Sequence, residues 1–334
     1  MKNTQTHEWL ALTAIGLFTV MANLDSSIVN IALPTLSRDF KIPTSMAAYT
    51  VIIYMVVMSG LLVLGGRLGD IISKSRIFKY GMYVFTLGSL LASISPSFGL
   101  LQIARIVQAI GASATLANSY GLISQIFPPA TRGKAMGFNT LFISGGFIIG
   151  PALGGLLLQH FIWQSIFMIN LPIGVIAIIM GTLFLPHEQS GKMPKKFDWL
   201  GAVLLFFAIS AFILFLEIGQ TIGFSNLIVI GMVVIFAIVG IWLVIREQRH
   251  SSSLLDMSIF KIREFTLTLF ALVFVMMTNS FFDIVFPFYL QSILKWSVGA
   301  AGLMMIVFPA VMAIVAPLGG GLGDRERKIS CVNA

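Results

Sequence analysis

Ten stretches of about twenty predominantly apolar residues succeed one another along this chain, near 9–33, 46–65, 77–95, 98–125, 135–158, 164–185, 199–219, 226–245, 265–290 and 298–319. Each has roughly the length a helix needs to cross about 30 Å of hydrocarbon. In lipid, every backbone N–H and C=O must find a partner within protein, so such stretches fold as helices rather than irregular chain. The expectation is an all-α polytopic membrane protein. Charged residues make up 10% of the sequence, against about 25% in ordinary soluble domains, so these stretches do not build a large soluble core. The first stretch follows His7 and Glu8 and shows no small-residue cleavage site, so it reads as a spanning helix and not a signal peptide.

The net charge of +8 raises the question of nucleic acid, and its distribution answers it. With the N-terminus in the cytoplasm, the inner connections receive Lys2, Arg67, Lys74, Arg76, Lys79, Arg132, Lys134, Lys192, Lys195, Lys196, Arg246, Arg249, Lys261, Arg263, Arg325, Arg327 and Lys328. The outer connections receive only Arg38, Lys41 and Lys295. This asymmetry follows the positive-inside rule, and no nucleic-acid partner is needed to explain it. A multi-pass protein of the cell membrane is expected.

Enzymatic chemistry finds no foothold. Cys331 is the single cysteine, which excludes an internal disulfide and a cysteine-based metal cluster. His7, His160, His187 and His250 lie in the tail or in loops and form no ligand pair. No nucleophile, base and orienting group assemble, and no phosphate-binding Gly-Lys-Ser motif signals an ATP-driven pump. No metal or cofactor is expected.

Residues 145–155 read Gly-Gly-Phe-Ile-Ile-Gly-Pro-Ala-Leu-Gly-Gly inside the fifth stretch. Pro151 removes a backbone donor and clashes with the preceding turn, and each glycine costs about 1 kcal/mol of helix propensity. Gly146, Gly150 and Gly154 recur every four residues and so offer one smooth face for a closely packed neighbour. A kinked packing helix accounts for this motif as readily as a functional break does.

An internal echo organises the rest. Gly-Gly-Arg-Leu-Gly-Asp at 65–70 ends the second span, and Gly-Gly-Gly-Leu-Gly-Asp at 319–324 ends the tenth. Two homologous halves are a transporter signature. The division expected is a six-helix bundle over 1–186, two inserted helices with their loops over 187–264, and the first two helices of a second bundle over 265–334. On that division four helices of the second half are missing, so the chain reads as truncated and a separate C-terminal fragment is a candidate partner.

At this point the motifs resemble those of the major facilitator superfamily, and within it the fourteen-helix drug:proton antiporters. Leu-Asp-Ser-Ser-Ile-Val-Asn-Ile-Ala-Leu-Pro at 24–34 is similar to the first-helix motif, and Gly-Arg-Leu-Gly-Asp-Ile-Ile-Ser-Lys-Ser-Arg at 66–76 to the loop motif after the second helix. Leu101, Arg105, Gln108 and Gly111 match the fourth-helix motif, with Ala109 where glycine is usual. Gly146, Gly150, Pro151, Gly154 and Gly155 match the antiporter motif of the fifth helix, and Trp163 with Ile166–Gly174 resembles the segment opening the sixth. Departures are Ile71 and Ser73 in the loop motif, and Gln164 and Ser165 after the tryptophan. The resemblance implies a major facilitator fold with about ten of an expected fourteen helices. It also implies a cytoplasmic gating loop that includes Gly66, Asp70 and Lys74.

Asp25, Arg105, Glu217 and Asp283 are ionisable residues within the spans. An intramembrane charge costs about 2.5–3.5 kcal/mol on insertion scales and is a functional candidate by default. Helical rise places Asp25 about 13 Å and Arg105 about 10 Å from the outer ends of their helices. They share a depth and can pair if the first and fourth helices are neighbours. Paired, Asp25 stays ionised; released in a dry cavity, it can carry a proton. A permanent structural salt bridge is the alternative. Asn30, Tyr54, Gln108, Asn118 and Asp283 are candidate cavity residues, and Asp283 reads equally as a solvated residue near a helix end. Glu217 reads as interfacial.

The function expected is proton-coupled export of small amphipathic, cationic compounds by alternating access, with the substrate, protons and the lipid bilayer as partners. The alternatives are a non-transporting fragment or half-protein, and a uniporter or symporter of the same superfamily.

Overall fold

The computed structural model describes residues 2–186, 198–249 and 257–296, and beyond them residues 304, 307, 310–312 and 314–319. The described residues contain no strand. Helices α1 (Lys2–Asp39), α2 (Thr44–Ala47), α3 (Tyr49–Ile71), α4 (Lys74–Ser93), α5 (Phe98–Ile126) and α6 (Arg132–His160) are followed by α7 (Ser165–Met168) and α8 (Asn170–Phe184). Then come α9 (Trp199–Ile222), α10 (Leu227–Arg249) and α11 (Arg263–Phe288).

Seven described segments are both long and apolar enough to cross a bilayer: Thr6–Asp39, Thr44–Ile71, Phe98–Ile126, Arg132–His160, Ser165–Phe184, Trp199–Gln220 and Leu227–Arg246. Ten spans were expected. Helix α4 has the length, but Lys74, Arg76 and Lys79 crowd its first turns and leave it less apolar than the seven. Helix α11 occupies the expected ninth span. The tenth is helical at 310–312 and 314–319, and the second copy of the Gly-Leu-Gly-Asp echo, from residue 320, lies outside the described residues. The side chain of Asp283 lies outside them too.

Short polar residues start several helices. Ser73 Oγ accepts from Arg76 N at 3.2 Å to begin α4, and Ser97 Oγ accepts from Leu100 N at 3.4 Å to begin α5. Asp198 Oδ1 accepts from Gly201 N at 2.9 Å to begin α9. Such caps satisfy backbone donors that a helix start leaves open.

Helix α1 packs on α6 and α8, α5 packs on α3 and α4, and α4 also meets α8. The buried apolar side chains of α1–α8 fall into two clusters. One is built on Leu12, Ile15, Phe18, Met21, Phe78, Met82 and Phe85, the other on Leu24, Ile28, Leu36, Leu101, Ala104, Trp163 and Phe167. Helices α9 and α10 lie side by side, and α9 rests on α3. There a Cβ on Gly60 would come within 2.7 Å of the Phe206 ring. Asp198 also forms an ion pair with Arg246, which joins the start of α9 to the end of α10.

Glycines set the helix separations. A Cβ on Gly111 of α5 would stand 2.3 Å from the Phe85 backbone nitrogen of α4. On α6, a Cβ at Gly146 would fall 2.7 Å from the Val20 carbonyl oxygen, at Gly150 1.8 Å from Ser27 Oγ, and at Gly154 2.7 Å from Ile28 Cγ1. These three therefore form the face that receives α1, and α6 runs unbroken through Pro151. Gly145 and Gly155 meet nothing within 4 Å. We accordingly expect Gly146→Val to lower stability by about 1–3 kcal/mol or more through overpacking against backbone, and Gly155→Ala to be neutral. Thermal unfolding of both variants in detergent checks this; equal melting shifts would contradict it. At the other end of α6, a Cβ on Gly137 would lie 2.6 Å from Ala316 O and from Pro317 Cα, so this end abuts the 314–319 segment.

Candidate functional site

Between the two apolar clusters sits a layer of polar side chains drawn from five helices. Asp25 of α1 and Arg105 of α5 are both 0% exposed. Arg105 Nη1 donates to Asp25 Oδ2 at 2.6 Å. The two charges meet because residue 25 and residue 105 lie at one depth of the bundle, as helical rise predicted. A hydrogen bond with both partners ionised is short and stronger than a neutral one.

The rest of the layer serves this pair. Arg105 Nη1 also donates to Gln108 Oε1 at 2.7 Å, one turn along the same helix. Its Nε donates to the Thr50 carbonyl oxygen of α3 at 3.1 Å. Tyr54 places its ring 4.2 Å from the guanidinium carbon, and the Phe167 ring stands 5.7 Å away. Aromatic faces of this kind attract a desolvated cation. On the acid, Oδ1 accepts from Asn170 Nδ2 of α8 at 2.8 Å and from Gln108 Nε2 at 3.2 Å. Ser89 Oγ of α4 accepts from the same two amides, at 2.8 Å from Gln108 and 3.4 Å from Asn170. The buried carboxyl thus accepts from three donors on two neighbouring helices.

Of the residues singled out from sequence, Asp25, Arg105, Gln108 and Tyr54 thus come together. Asn30 does not: its side chain is exposed, and its amide donates back to the Ser26 carbonyl at 3.2 Å. Asn118 is fully buried, but thirteen residues along α5 from Arg105, about 20 Å by helical rise. Its amide donates to the Gly65 carbonyl at 2.9 Å, and a Cβ on Gly69 would collide with its Oδ1 at 1.7 Å. Asn118 therefore fastens α5 to the end of α3 where the loop motif begins, far from Asp25. At that end Asp70 and Lys74 form an ion pair one turn apart, bridging the junction of α3 and α4, while a Cβ on Gly66 would make only ordinary contact with Ala117. Glu217 is partly buried on α9, five residues before its end.

Thr50, Ser89 and Asn170 were not foreseen as site residues. Each is uncharged and sits in an apolar run, where such residues usually bridge backbones. Asn170 carried the one available signal, an amide between Ile169 and Leu171 at the start of a helix. Among the described residues no cluster of His, Cys, Asp or Glu has a metal-binding arrangement.

Comparison with known proteins bears on the family and the fold. A profile of the Major Facilitator Superfamily matches residues 15–247. The riboflavin transporter RibZ of Clostridioides difficile is 37% identical over 322 residues, covering 96% of this chain and 69% of that protein. The multidrug resistance protein Stp of Mycobacterium tuberculosis is 32% identical over 320 residues, covering 95% of this chain and 59% of its own length. The chain thus spans about 59–69% of the length of these relatives. Among solved structures, the human organic anion transporter MFSD10 (TETRAN) superposes with a TM-score of 0.59 over 95% of this chain and 71% of that one, at 13% identity. That likeness is one of fold.

Proposed function

The chain belongs to the major facilitator superfamily, and from that premise we infer that it acts in proton-coupled export of small amphipathic compounds, cationic ones foremost, by alternating access across the cell membrane. The observation that carries this reading is the buried Asp25–Arg105 pair. An acid sealed among helices, with its charge balanced by one guanidinium, has two stable conditions. Ionised, it keeps the ion pair; protonated, it releases Arg105 to Gln108, Thr50 and the Tyr54 ring, which hold it already. Exchange between these conditions requires the site to open to water on one side and then on the other, which is the motion of an alternating-access carrier. On the inner side, a cation entering near Asp25 competes with the proton for the carboxylate.

Supporting features lie around the pair. Ile31 of α1 and Tyr49 and Met55 of α3 stay exposed on the helices that carry Asp25 and Tyr54, and an adaptable methionine suits varied substrates. The contact of Gly137 with Ala316 and Pro317 is one that inward opening would have to part. The loop pair Asp70–Lys74 belongs to the same moving end in this reading.

The identity with a protein named riboflavin transporter favours a second reading, in which the substrate is a flavin-like planar compound rather than a cation. Everted membrane vesicles from cells expressing the gene in full separate the two. Under an imposed proton gradient, accumulation of a cationic amphipathic dye is expected, and it should collapse when the gradient is dissipated. Gradient-driven movement of riboflavin with no dye uptake would favour the second reading, and movement of both that ignores the gradient would remove proton coupling altogether.

A further inference from the structure

The two amides on Asp25 Oδ1 differ in one respect. Gln108 uses both ends of its amide, the oxygen accepting from Arg105 and the nitrogen donating to Asp25 and Ser89. Turning it over would aim an N–H at the guanidinium, so its orientation is fixed. Asn170 uses only its nitrogen. Its Oδ1 is buried and has no hydrogen-bond partner, although the residue is 0% exposed. An unpartnered buried oxygen is costly and calls for an explanation.

We propose that Asn170 is a positioning residue that reads the protonation state of Asp25: its amide donates to the carboxylate, and turns over to accept from the acid. This rests on Asp25 being the proton carrier, as inferred above. A proton arriving from water bonds to Oδ1, the oxygen not engaged by Arg105. The new O–H faces the Asn170 N–H, donor against donor. A half-turn of the amide about its last side-chain bond exchanges nitrogen for oxygen, and the acid then donates to Asn170 Oδ1. Ser89, which accepts from both amides in the ionised arrangement, has a hydroxyl hydrogen with which it too can donate to that oxygen. The turn exchanges one unpartnered amide end for the other, so the ionised and neutral arrangements stay close in energy, and the amide favours neither state strongly. Loss of the proton reverses it.

The charged surroundings permit this. Arg105 of α5 and Tyr54 of α3 are the titratable groups that face the site from the neighbouring helices. Helices α2, α7 and α8 carry no charged residue, and those of α3, α4 and α6 sit at or near helix ends. Since α8 begins at residue 170, the turn occurs at the first residue of a helix that packs on both α1 and α4. The event is thereby passed to a third helix without any new charge.

Infrared difference spectra of the full chain in lipid nanodiscs, recorded across pH, test this without a transport assay. A protonated carboxyl band that Asp25→Asn removes identifies the acid. In the native protein, an asparagine side-chain carbonyl band should change with the same midpoint as that carboxyl band. In Asn170→Leu the asparagine signal should vanish and the carboxyl band should move to higher frequency, as the acid loses its acceptor. Asn170→Ala should do the same, which guards against a packing fault peculiar to leucine. If the Asp25 band titrates but keeps its frequency in both variants, and no asparagine band follows it, the reader role is wrong while the carrier role stands. If no band assignable to Asp25 titrates in the native protein, both are wrong.

Discussion

Asp25→Asn is expected to abolish gradient-driven accumulation, reducing it to the level of vesicles that lack the protein. The amide fills the volume of the carboxyl but cannot titrate, so no proton crosses with each cycle. Its chemistry also clashes with the site. An asparagine oxygen can accept from Arg105, but its nitrogen would then face the fixed donor Gln108 Nε2 where Oδ1 accepted before, while Asn170 can turn over to accept from it. Arg105 meanwhile keeps its charge at 0% exposure with no anion beside it. Removing one member of a buried ion pair generally destabilises by about 3–5 kcal/mol. Expression and melting should therefore be followed alongside transport. A well-folded Asp25→Asn protein that still drives uphill export with an unchanged pH profile would move the carrier role elsewhere, Asp283 being the next candidate.

The second large effect is expected at Arg105. Arg105→Ala removes donors to Asp25, Gln108 and Thr50 at once and leaves a cavity beside the Tyr54 ring. The loss again falls at about 3–5 kcal/mol, because Asp25 is left buried without an opposite charge. Arg105→Lys should not restore function, since one ammonium cannot reproduce a planar fork that engages three partners. A double-mutant cycle with Asp25→Ala and Arg105→Ala makes the pair's coupling measurable. The double variant should be less damaged than the sum of the singles by about 0.5–3 kcal/mol. Strict additivity would mean that the two charges do not act as a unit.

What could be read in advance followed from depth and period. Asp25 and Arg105 were brought together by counting residues from the outer ends of two helices, because rise per residue is fixed whatever the neighbours do. The face of Gly146, Gly150 and Gly154 was legible for the same reason, since a four-residue repeat lies on one side of a helix. Rotation about a helix axis and lateral placement were not legible. Asn30 therefore turned out exposed, and Asn118, though polar and in the right helix, sits against Gly65 and Gly69 far from the acid. Nothing in the sequence of α9 and α10 announces that α9 lies on α3 and α10 against α9, because an apolar helix surrounded by lipid advertises no preferred neighbour. Thr50, Ser89 and Asn170 were missed because a hydrogen bond from an uncharged side chain costs too little in composition to stand out.

The order of the pair along the chain bears on how the protein is made. Asp25 precedes its arginine by 80 residues and Asn170 follows Asp25 by 145. At about 5–20 residues per second of synthesis, α1 waits some 4–16 s for α5. During that interval its acid can enter the bilayer uncharged, by holding a proton. An arginine has no such refuge, since its guanidinium stays charged in any protein environment. Putting the carboxyl first means that the residue able to shed its charge is the one that waits, and the residue unable to do so arrives to a partner already in place. With the two exchanged, a permanent cation would have to stand alone in the nascent helix for the same seconds, exposed to retention at the insertion machinery and to quality-control proteolysis.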